Sequence, residues 1–259
     1  MTLSAHLRWG IVVLLACSIG TCAWARENAN ASSKDAAKDK DKAKDAGGVD
    51  SGSFGVFVRG QRVVTESFSV RDENGISTVT SQLQETSSAA TGQKSELKMT
   101  GSGELVRYDW SDGSGSLVVT PKDEFLLEKI TTGTSAKPAE QPFLMPNTSA
   151  ILDNNFFVHR EVLAWRYLAT NCHPSGANLT CQQGAVEFGV LVPQDRSSMR
   201  VRLELGGREK FTIRGTEREL LRLSLKGETF SWTLWVDEKD KFKLIRVDIP
   251  DDNTEVVRD

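Results

Sequence analysis

The sequence predicts a mainly β protein: a highly curved antiparallel sheet, a half-barrel, wrapped around one main helix. Three observations predict it. From Phe54 onward the apolar residues recur at every second position, the period of a strand with one face buried. Glycine-, proline- and asparagine-containing turn signals separate roughly ten such runs at intervals of about 8–12 residues. Only one later stretch, Asn154 to Leu168 (NNFFVHREVLAWRYL), repeats apolar residues at helical spacing. A single sheet cannot hide so many large apolar side chains unless it curls or packs on other material, hence the expected wrap around that helix.

The chain opens with an export signal. Met1 to Arg8 carry Arg8 and His6, Trp9 to Ala16 (WGIVVLLA) are uncharged and apolar, and Ala23-Trp24-Ala25 places small residues before Arg26. That order is the signature of a secretory signal peptide, residues 1–25, cleaved after Ala25, with a periplasmic or secreted destination. The apolar run is far short of the roughly 20 residues that span a bilayer. An alternative uses the same region: Leu14-Leu15-Ala16-Cys17 resembles a bacterial lipobox, in which Cys17 is lipidated and the protein is a membrane-anchored lipoprotein. Residues 26–53, centred on SSKDAAKDKDKAKDAGG, have little apolar surface to bury and are expected to form a disordered Lys/Asp/Ala linker. Residues 54–259 are expected to form one domain.

Within that domain Phe54, Val56 and Val58 alternate, and Arg59-Gly60-Gln61 reads as a turn. Val64, Phe68 and Val70 share a face, with Glu66 among them. Asp72-Glu73-Asn74-Gly75 is a hairpin signal, since Asn-Gly suits a tight turn. Runs at Ile76–Gln84, Glu96–Thr100, Val106–Trp110, Leu117–Thr120 and Phe125–Ile130 follow, then a Thr/Gly/Ala/Pro-rich loop over 131–146. The helix is expected to start at Asp153 or Asn154, whose side chains suit an N-cap, and to turn Arg160, Glu161 and Arg166 away from its apolar stripe. Beyond it come Ala185–Val192, then Met199, Val201, Leu203 and Leu205 on one face, with Gly206-Gly207 as a turn. Leu221, Leu223 and Leu225 alternate, as do Phe230, Trp232, Leu234 and Val236, with Trp235 on the opposite face, where one of the two tryptophans is expected to be exposed or to line a cleft. Phe242 and Leu244 lie on one face, whereas Ile245, Val247 and Ile249 are shifted by one residue, which a β-bulge explains.

Cys172 and Cys181, separated by HPSGANLT, are the only cysteines after residue 25. In an oxidising compartment such a pair reads as a disulfide. The competing reading, a metal site with His173, lacks the four-ligand set that zinc favours. No metal and no cofactor is expected. A net charge of −3 with 26% charged residues gives no basic excess for a nucleic-acid partner. The motifs G-x-S-x-G, H-E-x-x-H and a phosphate-cradling glycine loop are absent from the sequence. A hydrolase built from Ser and Asp with His159 is the least supported reading, and the protein is expected not to be an enzyme. The aromatic residues Trp110, Phe156, Trp165 and Trp232 are the candidates to line a ligand site inside the sheet.

The segment Ser149-Ala150-Ile151-Leu152-Asp153-Asn154-Asn155-Phe156-Phe157 and the closing run from Trp232 to Asp237, with its polar turn and Leu244-Ile245-Arg246-Val247, resemble uncharacterised bacterial envelope proteins. The closing hairpin in particular is similar to that of periplasmic half-barrel domains, whose best-known members are LolA-type lipoprotein carriers. The resemblance implies lipid or acyl-chain handling and transfers no binding residue. Two functional expectations result: a non-enzymatic envelope protein binding a lipid or other apolar ligand within its sheet, or a structural or protein-interaction domain with an envelope partner and no small-molecule ligand.

Overall fold

The computed structural model describes residues 48–87, 92–133, 137–176, 178–213 and 215–259. The expected signal peptide, Cys17 and residues 26–47 of the expected linker lie outside the described residues. Eight strands come first: β1 (Gly48–Val58), β2 (Gln61–Glu73), β3 (Ile76–Glu85), β4 (Lys94–Thr100), β5 (Leu105–Ser111), β6 (Gly115–Lys122), β7 (Phe125–Thr132) and β8 (Ala139–Phe143). Each pairs antiparallel with the next. Arg59-Gly60 and Asn74-Gly75 make the first two turns, all four residues at positive φ, the backbone whose twist matches the flanking strands.

The chain then crosses to the far edge of the sheet through β9 (Ala150–Ile151), the helix α1 (Val158–Asn171), and a separate hairpin, β10 (Cys172–Ser175) with β11 (Asn178–Cys181). It returns inward through β12 (Val186–Val192), β13 (Ser197–Ile213), β14 (Thr216–Lys226), β15 (Ser231–Asp237), β16 (Lys243–Ile249) and β17 (Thr254–Arg258). β17 pairs with both β16 and β1 and so joins the two arms. The result is a 15-stranded sheet that runs β8 to β1, then β17 to β12, and ends on β9. All pairs are antiparallel except β9 with β12.

This architecture keeps the expected mainly β class and single helix and corrects the half-barrel. The sheet is open, with β8 and β9 at its edges, and is not strongly curled. The crossover explains why: α1 and the chain around it cover the apolar face, so the sheet need not close to hide it. Register shifts interrupt the ladders at Val56/Phe57, Lys98/Met99, Leu205/Gly207 and Trp235/Val236, the kind of bulge that bends a strand locally. One face carries the core: Phe54, Val70, Val79, Leu97, Tyr108, Val119, Leu203, Leu223, Leu234 and Val247 are buried against Phe156, Val158, Leu163 and Tyr167.

Several boundaries differ from expectation. β1 begins at Gly48, inside the expected linker, because a ladder needs backbone groups rather than apolar side chains, and Asp50 is held by Arg258 at 2.6 Å. β8 lies inside the expected 131–146 loop, and the cysteine loop is itself a hairpin. Gly206-Gly207 is not a turn: Gly207 sits at φ 121 in a bulge within the 17-residue β13. The expected bulge at Ile245 is present, where Trp235 pairs with Arg246 and Val236 with Leu244. The helix starts at Val158, four residues after Asn154, and neither Asp153 nor Asn154 caps it.

Candidate functional site

The first turn of α1 is held by groups from distant strands. Phe157 is the N-cap and offers no side-chain oxygen, so the free helix donors are satisfied from β2. Glu66 accepts from the N–H of Phe157 at 2.6 Å and of Val158 at 3.2 Å, and from Ser81 Oγ at 2.8 Å. Burial raises its carboxyl to about 7 against the pull of these hydrogen bonds and the Arg160 charge. Asp153 accepts instead from the Tyr108 hydroxyl, from Gln194 Nε2 and, at 2.8 Å, from the N–H of Asn155. Burial raises its carboxyl too, and burial beside Asp153 raises the Tyr108 phenol well above its usual range.

Arg160 and Glu161, expected to face away from the apolar stripe, are both fully buried. Each is there because it has partners. Arg160 donates to the carbonyls of Asp153 and Phe156 and lies 5.0 Å over both Phe157 and Trp232. Its pKa is lowered to about 10 by burial, offset in part by Asp153 and Glu66. Glu161 accepts from the N–H of Leu244 at 2.9 Å and from Arg258 at 3.0 Å, and Arg258 also pairs with Asp50. Burial raises Glu161 to about 8. Lone carboxylates or guanidinium groups in this core would be costly, whereas paired ones fix the docking of α1. The sequence signal for this arrangement was Glu66 standing on an apolar strand face.

His159 is buried as well, and neither ring nitrogen has a hydrogen-bond partner among the described residues. Burial lowers it to about 3, so it is neutral over the ordinary pH range. No Ser hydroxyl or carboxylate bonds to it, so the Ser/Asp/His arrangement is not assembled around it. It touches only an enclosed void of about 20 Å³, the size for one water. Among the described residues no group of three His, Cys, Asp and Glu is placed to hold a metal ion. Cys172 and Cys181 form a disulfide that ties β10 to β11.

The four candidate ligand residues do not converge. Phe156 is fully buried beneath α1, its ring 6.0 Å from that of His159. Trp232 is covered by the Arg160 guanidinium and by Phe230, whose ring centre is 4.7 Å away. Trp110 donates to Gln93 at 3.2 Å and borders a shallow open trough of about 640 Å³ along β2–β6, where Phe68 and Val118 stand among Ser, Thr and charged residues. Trp235, on the face opposite Trp232, is packed under Phe211 and Arg246 and donates to Glu209 at 2.9 Å. The long β13 hairpin, bent by its bulge, provides that cover.

Trp165 alone lines an open apolar cleft. The cleft holds about 320 Å³ between the second half of α1, the disulfide hairpin and the turn after β15, with Leu168, Leu179, Phe242 and Val49 in its wall and Lys241 as its one charged side chain. The indole N–H is already used on the carbonyl of Phe242 at 2.7 Å, so the ring presents apolar surface. Lys241 and Phe242 both have left-handed backbones, at φ 53 and 57. Non-glycine residues in that region cost on the order of 1 kcal/mol or more each, and here the strain aims a carbonyl and a ring at Trp165.

No family model matches this chain, and neither a curated protein nor a solved structure matches it.

Proposed function

We propose that this is an exported, non-enzymatic binding protein, and that its working surface is the Trp165 cleft, which takes a lipid or other apolar chain. The observation that carries the reading is the Lys241–Phe242 turn: two strained residues in succession line an apolar cleft whose only charge is an ammonium group. A volume of about 320 Å³ lies at the lower end of small-ligand sites. The export half of the proposal rests on the Ala23-Trp24-Ala25 signal and on the Cys172–Cys181 disulfide, a bond that persists in oxidising compartments. The LolA-type resemblance contributes only the expectation of acyl-chain handling. The site proposed is at the end of the helix rather than inside the sheet, where the described void holds about 20 Å³.

The competing reading, an interaction domain that adds a partner's strand to a sheet edge, has less support. β9 is two residues long, and β8 is five residues long with Pro142, which lacks a donor, so both edges are blunted. Titration with a neutral apolar dye such as phenyl-naphthylamine tests the proposal. Saturable fluorescence enhancement is expected, and Ala169→Trp, which places an indole in the cleft, is expected to abolish it. No saturable binding, or binding unchanged in Ala169→Trp, would overturn the reading.

A further inference from the structure

A second cleft opens on the other side of α1, between the 144–149 segment and the β12–β13 hairpin. It holds about 600 Å³ and shares no lining residue with the Trp165 cleft. Its distinctive group is Arg166. This guanidinium is half-buried and lies over the Phe188 ring at 5.6 Å. Burial lowers its pKa, and no carboxylate counters that burial. Among the described residues no acid pairs with it. The two other guanidinium groups on or against this helix are treated differently, since Arg160 is bound by carbonyls and Arg258 by Glu161 and Asp50. A half-buried cation left without a partner in an open cleft is a place for an anion.

We infer that this cleft binds an amphipathic monocarboxylate, a fatty-acid-like molecule whose carboxylate meets Arg166. An apolar strip of Phe188, Met145 and Met199, with Leu144 77% exposed at the rim, runs through a cleft whose other walls are polar, from Thr148, Ser149 and Ser198, which suits a molecule that is itself part apolar and part polar. A single charge suits the site better than a phosphate, because among the described residues that line the cleft Arg166 is the one cation without an acid partner. The lining Arg200 already engages Glu187 at 2.8 Å, and Arg202 reaches the same carboxylate at 3.3 Å. Glu228, also at the rim and exposed, opposes a second negative charge.

Calorimetric titration of the whole protein with dodecanoate, kept below its micellar concentration, tests the inference, with dodecanol and acetate as controls. Dodecanoate is expected to bind more tightly than either control. Arg166→Gln is expected to weaken it roughly tenfold or more, the scale of one charge-assisted hydrogen bond in a half-buried site. Glu228→Gln is expected to tighten binding, a gain that misfolding cannot imitate. Ala169→Trp, which fills the other cleft, is expected to leave unchanged the component of dodecanoate binding that Arg166→Gln weakens. Failure of wild-type protein to bind dodecanoate, or equal affinity in Arg166→Gln, overturns the inference. Loss in Ala169→Trp alone assigns the ligand to the Trp165 cleft, which overturns this site and leaves the proposed function standing.

Discussion

Glu66→Gln tests whether a buried strand carboxyl governs the start of α1. Glu66 accepts three hydrogen bonds inside the core, yet burial outweighs them and raises its carboxyl from 4.5 to about 7. Between those values the folded protein retains a proton that the unfolded chain has released. The stability this group contributes is therefore complete below about pH 4.5 and is lost as pH rises through about 7. The separation corresponds to about 3 kcal/mol. Glutamine does not titrate. Its oxygen keeps the Phe157 donor, and its amide, in place of the Oε1 that accepts from Ser81, donates to Ser81 Oγ instead, at the expense of the longer bond to Val158. Urea unfolding of both proteins at about pH 4.5 and about pH 8 gives the difference between them at each end. That difference is expected to shift by about 3 kcal/mol in favour of the variant at the higher pH. The comparison is needed because Glu128 and Glu161 slope stability the same way, whereas His159 opposes them. Parallel pH profiles would refute the argument. A shift in favour of wild type at high pH would show that the helix donors hold the carboxylate below its usual range.

Three further outcomes are expected. His159→Phe keeps the ring contacts with Tyr108 and Phe156 and removes two unpaired buried nitrogens. It should stabilise the protein by about 1–2 kcal/mol at neutral pH in thermal or urea unfolding. The gain should grow as pH falls below about 6.5, where the unfolded wild-type histidine takes up a proton that the folded one, held near 3, refuses. Arg258→Ala strands Glu161 and Asp50 in the core and should cost about 3–5 kcal/mol above about pH 8, where Glu161 is ionised, and less at lower pH, where Glu161 already holds a proton. Replacing Cys172 and Cys181 by Ala should cost about 3 kcal/mol, the chain-entropy value for so short a loop. The same variant should weaken dye binding, because Cys172 lines the Trp165 cleft.

The parts of this fold that sequence made legible are those written in local side-chain alternation. Leu221, Leu223 and Leu225 alternate and are all fully buried, and the one-residue phase slip at Ile245 locates a real bulge. What alternation does not encode is partnership over long distances. Arg160 and Glu161 look like solvent-facing charges because their distant partners, the Trp232 ring and Arg258, are named only by the folded chain. Asp50 looks like linker for the same reason, since Arg258 stands 208 residues away. Phe157 carries no capping side chain, so the true helix start was invisible while Asp153 offered a plausible false one. Of the candidate ligand residues, aromatic identity alone could not separate Phe156, which is core, from Trp165, which faces a cleft. Helical spacing places Arg166 away from the apolar stripe, and its isolation shows only against its neighbours in the fold.

The seam between β1 and β17 has a consequence for how the protein is made. Phe54 pairs with Arg258 and Val58 with Thr254, so the two arms of the sheet become one only when residues 254–258 are in place. Until those residues are available, the edge of β1 that β17 covers is unpaired. Pairings this far apart in sequence fold slowly and leave strand edges open to other chains in the meantime. β17 thus acts as a latch on the order of assembly, and the interval before it closes is the one in which the open edge of β1 can pair with another chain.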